Sequence, residues 1–194
     1  MERKTFREIV DDLNARPREL RGSVKLRAAM ERFGVDVTGR VCVDVGASTG
    51  GFTTVLLERG ARKVYAVDVG HGQLLGSLRQ DARVIDLERT NVAVAEVDEP
   101  IDVVTIDVSY LSLTDAASQL RRLSFSDGAE LVGLVKPMFE LRLAEAPADR
   151  DSLDRALRIA VDGVTAAGWV VVATMDSPVT GAKGAVEGFV HARR

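Results

Sequence analysis

The chain has 194 residues, 46% of them hydrophobic and 28% charged, with a formal net charge of −3. That length predicts one domain with a self-sufficient core, burying roughly 70% of its unfolded surface. The negative charge argues against a broad electrostatic grip on nucleic acid, no apolar run reaches the roughly 18 residues of a membrane span, and the charged N-terminus lacks a signal-peptide core.

Residues 1–40 hold ten Lys/Arg against seven Asp/Glu. This mildly basic segment reads either as a solvated helix face or as a surface that touches phosphates. Phe6, Ile9, Val10 and Leu13 recur at helical spacing, so an amphipathic helix opens the chain, and Pro17 ends or restarts it. A second helix is expected from Ser23 to Phe33, with Gly34 as its C-cap. Strands and helices then alternate. Short apolar strands are predicted at 41–45, 63–67, 83–86, 101–106 and 130–135, and helices at 52–59, 72–79, 114–122 and 151–167. Cys42, the sole cysteine, reads as a core residue of the first strand; with no internal disulfide possible, a reducing cytoplasm is the simple setting. The stretch 140–151, with Pro147, reads as a mobile loop. Gly168-Trp169 opens a sixth strand over 169–175, with Trp169 in the core. A last strand over 185–191 follows a short loop without a helix, so it is expected to run antiparallel to its neighbour. The prediction is an α/β, Rossmann-like sheet of seven strands, mostly parallel with one antiparallel, and helices on both faces. Residues 1–34 form a helical segment and 35–194 the core of one domain.

The most informative stretch is Val41-Cys42-Val43-Asp44-Val45-Gly46-Ala47-Ser48-Thr49-Gly50-Gly51-Phe52, a strand, an acid, a glycine turn and a helix start. A second strand ends on Asp68, about 20 residues further on. Strand, glycine turn, helix, strand, acid is the layout of a nucleoside cofactor site, with the acid accepting from ribose hydroxyls. A dinucleotide site reads G-x-G-x-x-G and cradles a pyrophosphate. Here the spacing is Gly46-x-x-x-Gly50-Gly51, and Asp44 beside the loop would repel a pyrophosphate. An acid there suits a ligand with a cationic amino group, and S-adenosylmethionine is the expected cofactor. Another nucleotide, or a glycine turn without a ligand, are the alternatives. Gly46, Ala47, Ser48, Gly50, Gly51 and Phe52 are the candidate loop contacts.

Ligands in such sheets sit beyond the carboxyl ends of the strands. Asp107 ends the fourth strand and Lys136 the fifth, so both rise beside the glycine turn. A lysine directly after an apolar strand is costly unless it is paired or has a task. A salt bridge to Asp107 would satisfy it. Lys25 on the second helix and Glu187 in the last strand could join them. No metal ligand set is assigned.

Several motifs carry a resemblance. They are Ser23-Val24-Lys25-Leu26, Asp44 to Thr53, Val67 to Leu74, Arg89-Thr90-Asn91-Val92, Asp107 to Leu113, Leu134 to Glu140, and Lys183 to Glu187. In this order they resemble the FtsJ-type ribose 2′-O-methyltransferases, most of all the TlyA-like branch. The resemblance implies a class I methyltransferase fold, S-adenosylmethionine as cofactor, and RNA as substrate, by likeness ribosomal. It implies a Lys-Asp-Lys-Glu tetrad, which falls on Lys25, Asp107, Lys136 and Glu187. It places Asp44, Gly46 and Ser48 near the methionine moiety, Asp68 on the ribose, and Asp86-Leu87 near the adenine.

The physical chemistry agrees with a base at Lys136. A ribose hydroxyl is a poor nucleophile and gains from losing its proton as the methyl arrives. Burial and a second lysine favour the neutral amine, while Asp107 and Glu187 oppose it. Asn91 lines the pocket or serves a turn, Tyr110 stacks on a base or packs half-buried, His71 is a loop residue, and His191 has no assigned role. Three features depart from the family pattern. The chain has no room for the S4-type RNA-binding domain of the full-length TlyA-like proteins, Leu141 to Arg150 replaces a glycine-rich segment, and Ala185 stands where Asn is usual. An O-methyltransferase for a sugar hydroxyl of a nucleoside or other small metabolite is the alternative. A base N-methyltransferase is disfavoured because Asp107-Val108-Ser109-Tyr110 contains no proline. The oligomeric state is open.

Overall fold

The computed structural model describes residues 20–194. The opening helix expected around Phe6 to Leu13, and the break at Pro17, lie outside the described residues. The first described helix, α1 (Arg21–Phe33), ends on Gly34 at φ 68°, the left-handed cap that glycine adopts most cheaply. Seven strands follow: β1 (Val41–Val45), β2 (Lys63–Val67), β3 (Val84–Leu87), β4 (Ile101–Ile106), β5 (Phe125–Val135), β6 (Val170–Asp176) and β7 (Gly188–Arg193). Between them lie α2 (Gly51–Glu58), α3 (Gly76–Arg79), α4 (Leu113–Gln119), α5 (Pro137–Glu140) and α6 (Arg150–Ala166).

The strands form one sheet in the order β3-β2-β1-β4-β5-β7-β6. Pairings among β1 to β5 are parallel, while β7 runs antiparallel to both β5 and β6. The expected single reversed strand is therefore β7. The chain order reverses between β1 and β4, and a crevice at such a switch point is where ligands bind in open α/β sheets. The glycine turn leaves β1, and Asp107 leaves β4, so both stand at that point.

Apolar side chains fill both faces. Leu26, Met30, Leu56 and Phe189 pack beneath α1 and α2, and Leu113, Leu120, Leu153 and Trp169 beneath α4 and α6. Cys42 is buried in the first of these layers, and burial pushes its thiol up to about 12, as befits a core residue. Trp169 packs edge-to-face on Phe125 at 5.0 Å.

Three expectations are corrected. The helix expected over 72–79 is only the single turn α3. Gly72 sits at φ 66° and Leu75 is extended, because residues 68–75 wrap the glycine turn; Leu75 N–H donates to Thr49 at 3.3 Å. Strand β5 begins at Phe125 rather than 130, since Phe125 pairs with Ile101 across a register shift. Strand β7 begins at Gly188, so Glu187 precedes it. Residues 182–184 form a 3-10 turn, and Ser177 N–H donates to the Glu187 carbonyl at 2.9 Å.

Candidate active site

The carboxyl edge of the sheet carries two adjoining clefts. One, of about 390 Å³, borders the glycine turn at Gly46, Ala47, Ser48 and Phe52. The other, of about 420 Å³, is lined by Lys25, Pro137, Met138, Gly181 and Glu187 among others. Asp107, Ser109, Lys136 and Arg21 line both. All four tetrad residues thus border a single cleft, and two of them sit where it meets the glycine cleft. A larger hollow, about 510 Å³, lies around Lys63 and Ser124 at the amino ends of the strands, away from these groups.

Backbone shape sets the glycine turn. Gly46 holds φ 85°, and a Cβ there would stand 2.3 Å from the Asp107 carbonyl oxygen. Only glycine lets the end of β1 approach the end of β4 this closely. Asp107 N–H donates to the Val45 carbonyl at 2.9 Å and completes the lock. At Gly51 a Cβ would meet Gly22 Cα at 3.1 Å, and the Ser23 hydroxyl donates to the Gly51 carbonyl at 2.8 Å. The amino ends of α1 and α2 therefore cross on a glycine pair, and this contact aims Lys25 at the cleft.

The four charged residues form two ion pairs. Lys25 pairs with Glu187, and both side chains are under a tenth exposed. Gly181 makes room for that carboxylate, since a Cβ there would lie 2.3 Å from its Oε1. Lys136 Nζ lies 2.6 Å from Asp107 Oδ1. It also donates to the Val108 carbonyl at 2.9 Å and the Ser109 hydroxyl at 2.8 Å. The ammonium thus meets one carboxylate as an ion pair and two hydrogen-bond acceptors.

The expected cofactor contacts are placed unevenly. Asp68 Oδ2 accepts from Ser48 N–H at 2.8 Å and Oδ1 from Gly70 N–H at 2.7 Å, so this carboxylate braces the turn. Asp86 keeps a buried Oδ1 without a hydrogen-bond partner, while its Oδ2 lies 3.3 Å from Arg79 Nε. Burial and Glu88 hold its carboxyl above the usual range, although Arg79 opposes them. The reading of Asp44 as a cleft residue is revised. It is fully buried under the turn, and its carboxyl accepts from the Thr53 hydroxyl at 2.7 Å and the Thr105 hydroxyl at 3.1 Å. Burial pushes its carboxyl up to about 7. Gly50 is also behind the cleft, where a Cβ would strike Leu78. Leu87 packs into the core and offers its carbonyl to Asp68 N–H, and the Phe52 ring stacks on Phe189.

Asn91 is a turn residue whose side chain accepts from Ala93 N–H at 2.8 Å. Tyr110 is 44% exposed beside Met138, Phe139 and Arg142. His191, which had no expected role, is buried with Nε2 2.8 Å from Glu130 Oε2, and its ring stacks on Phe33 at 5.1 Å. Sequence reasoning missed the Gly22–Gly51 crossing, Gly181 and Glu140. Glu140 is buried and accepts from the backbone N–H of Leu113 and the Thr114 hydroxyl, tying α5 to the first turn of α4. Its place in the Lys136-Pro137-Met138-Phe139-Glu140 motif was the available signal.

The fold and the site geometry together define a methyltransferase of the Rossmann-like class. Fibrillarin from Aeropyrum pernix, solved with S-adenosyl-L-methionine bound, shares the fold at TM-score 0.60 and 15% identity, over 89% of this chain and 76% of that one. A model of the FtsJ-like methyltransferase family matches residues 19–194, and the chain belongs to that family. It is 41% identical over 181 residues to the 16S/23S rRNA (cytidine-2′-O)-methyltransferase TlyA of Mycobacterium tuberculosis, spanning 89% of this chain and 67% of that protein. A solved Streptococcus thermophilus protein described as a hemolysin superposes with TM-score 0.81 at 34% identity, over 92% of this chain and 68% of that one. Among the described residues no helix is long and apolar enough to cross a membrane.

Proposed function

We propose that the chain transfers the methyl group of S-adenosylmethionine to a ribose 2′-hydroxyl of RNA, with ribosomal RNA as the substrate class. The observation that carries this reading is the meeting of the two clefts at Asp107, Ser109 and Lys136. A donor along the glycine turn and a ribose in the second cleft would face each other there. The TlyA relative supports the substrate, since its name gives rRNA and a cytidine 2′-oxygen.

The residues present fit the cofactor. A cleft of about 390 Å³ borders the turn at Gly46, Ala47 and Ser48, Asp68 ends β2 with its carboxylate beside the turn, and Asp86 keeps an unbonded buried oxygen suited to an amino-group donor. When bound, S-adenosylmethionine supplies an electrophilic methyl on a sulfonium. Lys136 acts on the hydroxyl. At rest it donates to the Val108 carbonyl and the Ser109 hydroxyl, and an incoming hydroxyl would replace the Ser109 contact, the one that involves another side-chain hydroxyl. Once one ammonium proton has passed to solvent, Lys136 Nζ takes the hydroxyl proton, and Asp107 holds Nζ in line. Lys25 and Glu187 position the ribose from the second cleft, and alignment of oxygen and methyl carries much of the acceleration. In this reading residues 35–194 are the methyltransferase core, and the helix that brings Lys25 belongs to the same domain.

The test is transfer of a labelled methyl group to ribosomal subunits, stripped RNA and a nucleoside mixture, with Lys136→Ala beside the native protein. Label in RNA that protects the adjoining linkage from alkali, and is absent with Lys136→Ala, is the expected result. Label confined to nucleosides would replace this reading with a small-metabolite O-methyltransferase.

A further inference from the structure

Among the described residues four that are not glycine hold a positive φ: Ser48, Arg89, Arg142 and Lys183. All four lie at the carboxyl edge of the sheet, where the clefts open. Ser48 belongs to the glycine turn, and the other three are cations. The left-handed region suits glycine and, next, asparagine or aspartate, so a long basic side chain there is unusual.

Arg142, at φ 53°, follows α5, beside the Met138 and Phe139 that line the tetrad cleft. Lys183, at φ 55°, stands in the 3-10 turn between Gly181 and Ala185, which line another lip of that cleft. A hydrogen bond from Val186 N–H to the Pro147 carbonyl, 3.1 Å, holds the two loops together. Both side chains are exposed, and neither has an acid or carbonyl partner among the described residues. Arg21 lies at the mouth of both clefts, its guanidinium donating to the Thr180 and Gly181 carbonyls. The carboxylates of the tetrad cleft are already matched, Glu187 by Lys25 and Asp107 by Lys136. The rim cations are thus uncompensated, in a chain whose net charge is −3.

We infer that Arg142 and Lys183, with Arg21 between the clefts, grip the phosphate backbone of the RNA on either side of the nucleotide that enters the tetrad cleft. This rests on the RNA reading of the proposed function. A chain with negative overall charge gains affinity for RNA only where cations are concentrated, and counterion release at such a rim would supply it. Glycine would hold either loop with less backbone strain, so the basic side chain serves something other than the loop.

The experiment measures binding of a fluorescein-labelled hairpin RNA by anisotropy across a salt series. It compares the native chain with Arg142→Gly, Lys183→Gly, Arg142→Gln and Lys183→Gln, and with Arg122→Gln at the far edge as control. The slope of log K against log salt is expected to fall by about 0.7 to 0.9 for each rim substitution and to stay unchanged for the control. The glycine variants are expected to keep the thermal midpoint and the calorimetric affinity for S-adenosylmethionine. An unchanged slope in the rim variants, with native methyl transfer to RNA intact, would overturn the rim. A large fall in the thermal midpoint of the glycine variants would do so too, by making the side chains structural. A native chain that neither binds nor methylates RNA would instead overturn the substrate reading beneath it.

Discussion

The two lysine–carboxylate pairs differ in what surrounds them. Lys25 and Glu187 are enclosed, each less than a tenth exposed, and Gly181 has no side chain so that the carboxylate fits. Lys136 and Asp107 are 16% and 22% exposed, and Lys136 also donates to the Val108 carbonyl and the Ser109 hydroxyl. A closed pair fixes geometry, because moving either member leaves a buried charge alone. An open pair with exchangeable contacts can take on a new partner. In the proposed function the chemistry therefore falls to Lys136 and the framework to Lys25 with Glu187.

Removing the open pair's lysine should separate rate from stability. Lys136→Ala is expected to lower methyl transfer by roughly 10² to 10⁴-fold, read as initial rate with labelled cofactor. Its loss of stability should be smaller than that of the closed pair, since Lys136 and Asp107 retain some exposure to water. The closed pair should behave in the opposite way. Glu187→Ala strands the Lys25 ammonium and is expected to cost about 3–5 kcal/mol in urea unfolding. An equal loss of stability in both variants would erase the distinction. Gly46→Ala should cost about 1–3 kcal/mol through the forced left-handed backbone and its contact with the Asp107 carbonyl. Because that contact sets the end of β4, cofactor affinity measured by calorimetry should fall in the same variant.

Two buried carboxylates away from the ion pairs sharpen the contrast through pH. Asp44 has a folded value of about 7, well above the unfolded carboxylate, so the folded state binds the extra proton between roughly pH 4 and 7. Its contribution therefore destabilises the fold as pH rises through that window, by up to about 1.4 kcal/mol per pH unit. Asp44→Asn should flatten this part of the stability profile. For Glu130, burial raises the carboxyl, but hydrogen bonds from His191 and Arg193 outweigh it and hold the group below the usual range. Its stabilisation is present above the unfolded carboxylate value and is lost as pH falls below it. Glu130→Gln should reduce acid sensitivity, the smallest of these effects.

Much of the site was legible in the chain because it depends on what ends a strand. Asp107 and Lys136 follow apolar β-branched runs, and parallel pairing brings such ends to one edge. Strands β1, β2 and β4 have the expected bounds for the same reason. The start of β5 was hidden because Ser126, Asp127 and Gly128 carry no apolar pattern and lie in the irregularity between the Ile101–Phe125 and Val103–Glu130 pairings. Asp44 shows a different limit. Its neighbours Val43 and Val45 share one face of β1, so alternation sends Asp44 to the other, under α2. The motif drew attention to the acid, while the pleat decided where its side chain went.

What the sequence determined by itself was periodicity, punctuation and chemical type: an alternating α/β chain, a glycine turn after the first strand, and four charged residues in a family order. These are local properties, readable from neighbours a few positions apart. The tertiary structure decided which charges meet. Lys25 and Glu187 stand 162 positions apart, and their pairing depends on the Gly22–Gly51 crossing and on the turn before β7. Pairing over that separation is set by the packing of whole elements, which no local pattern encodes.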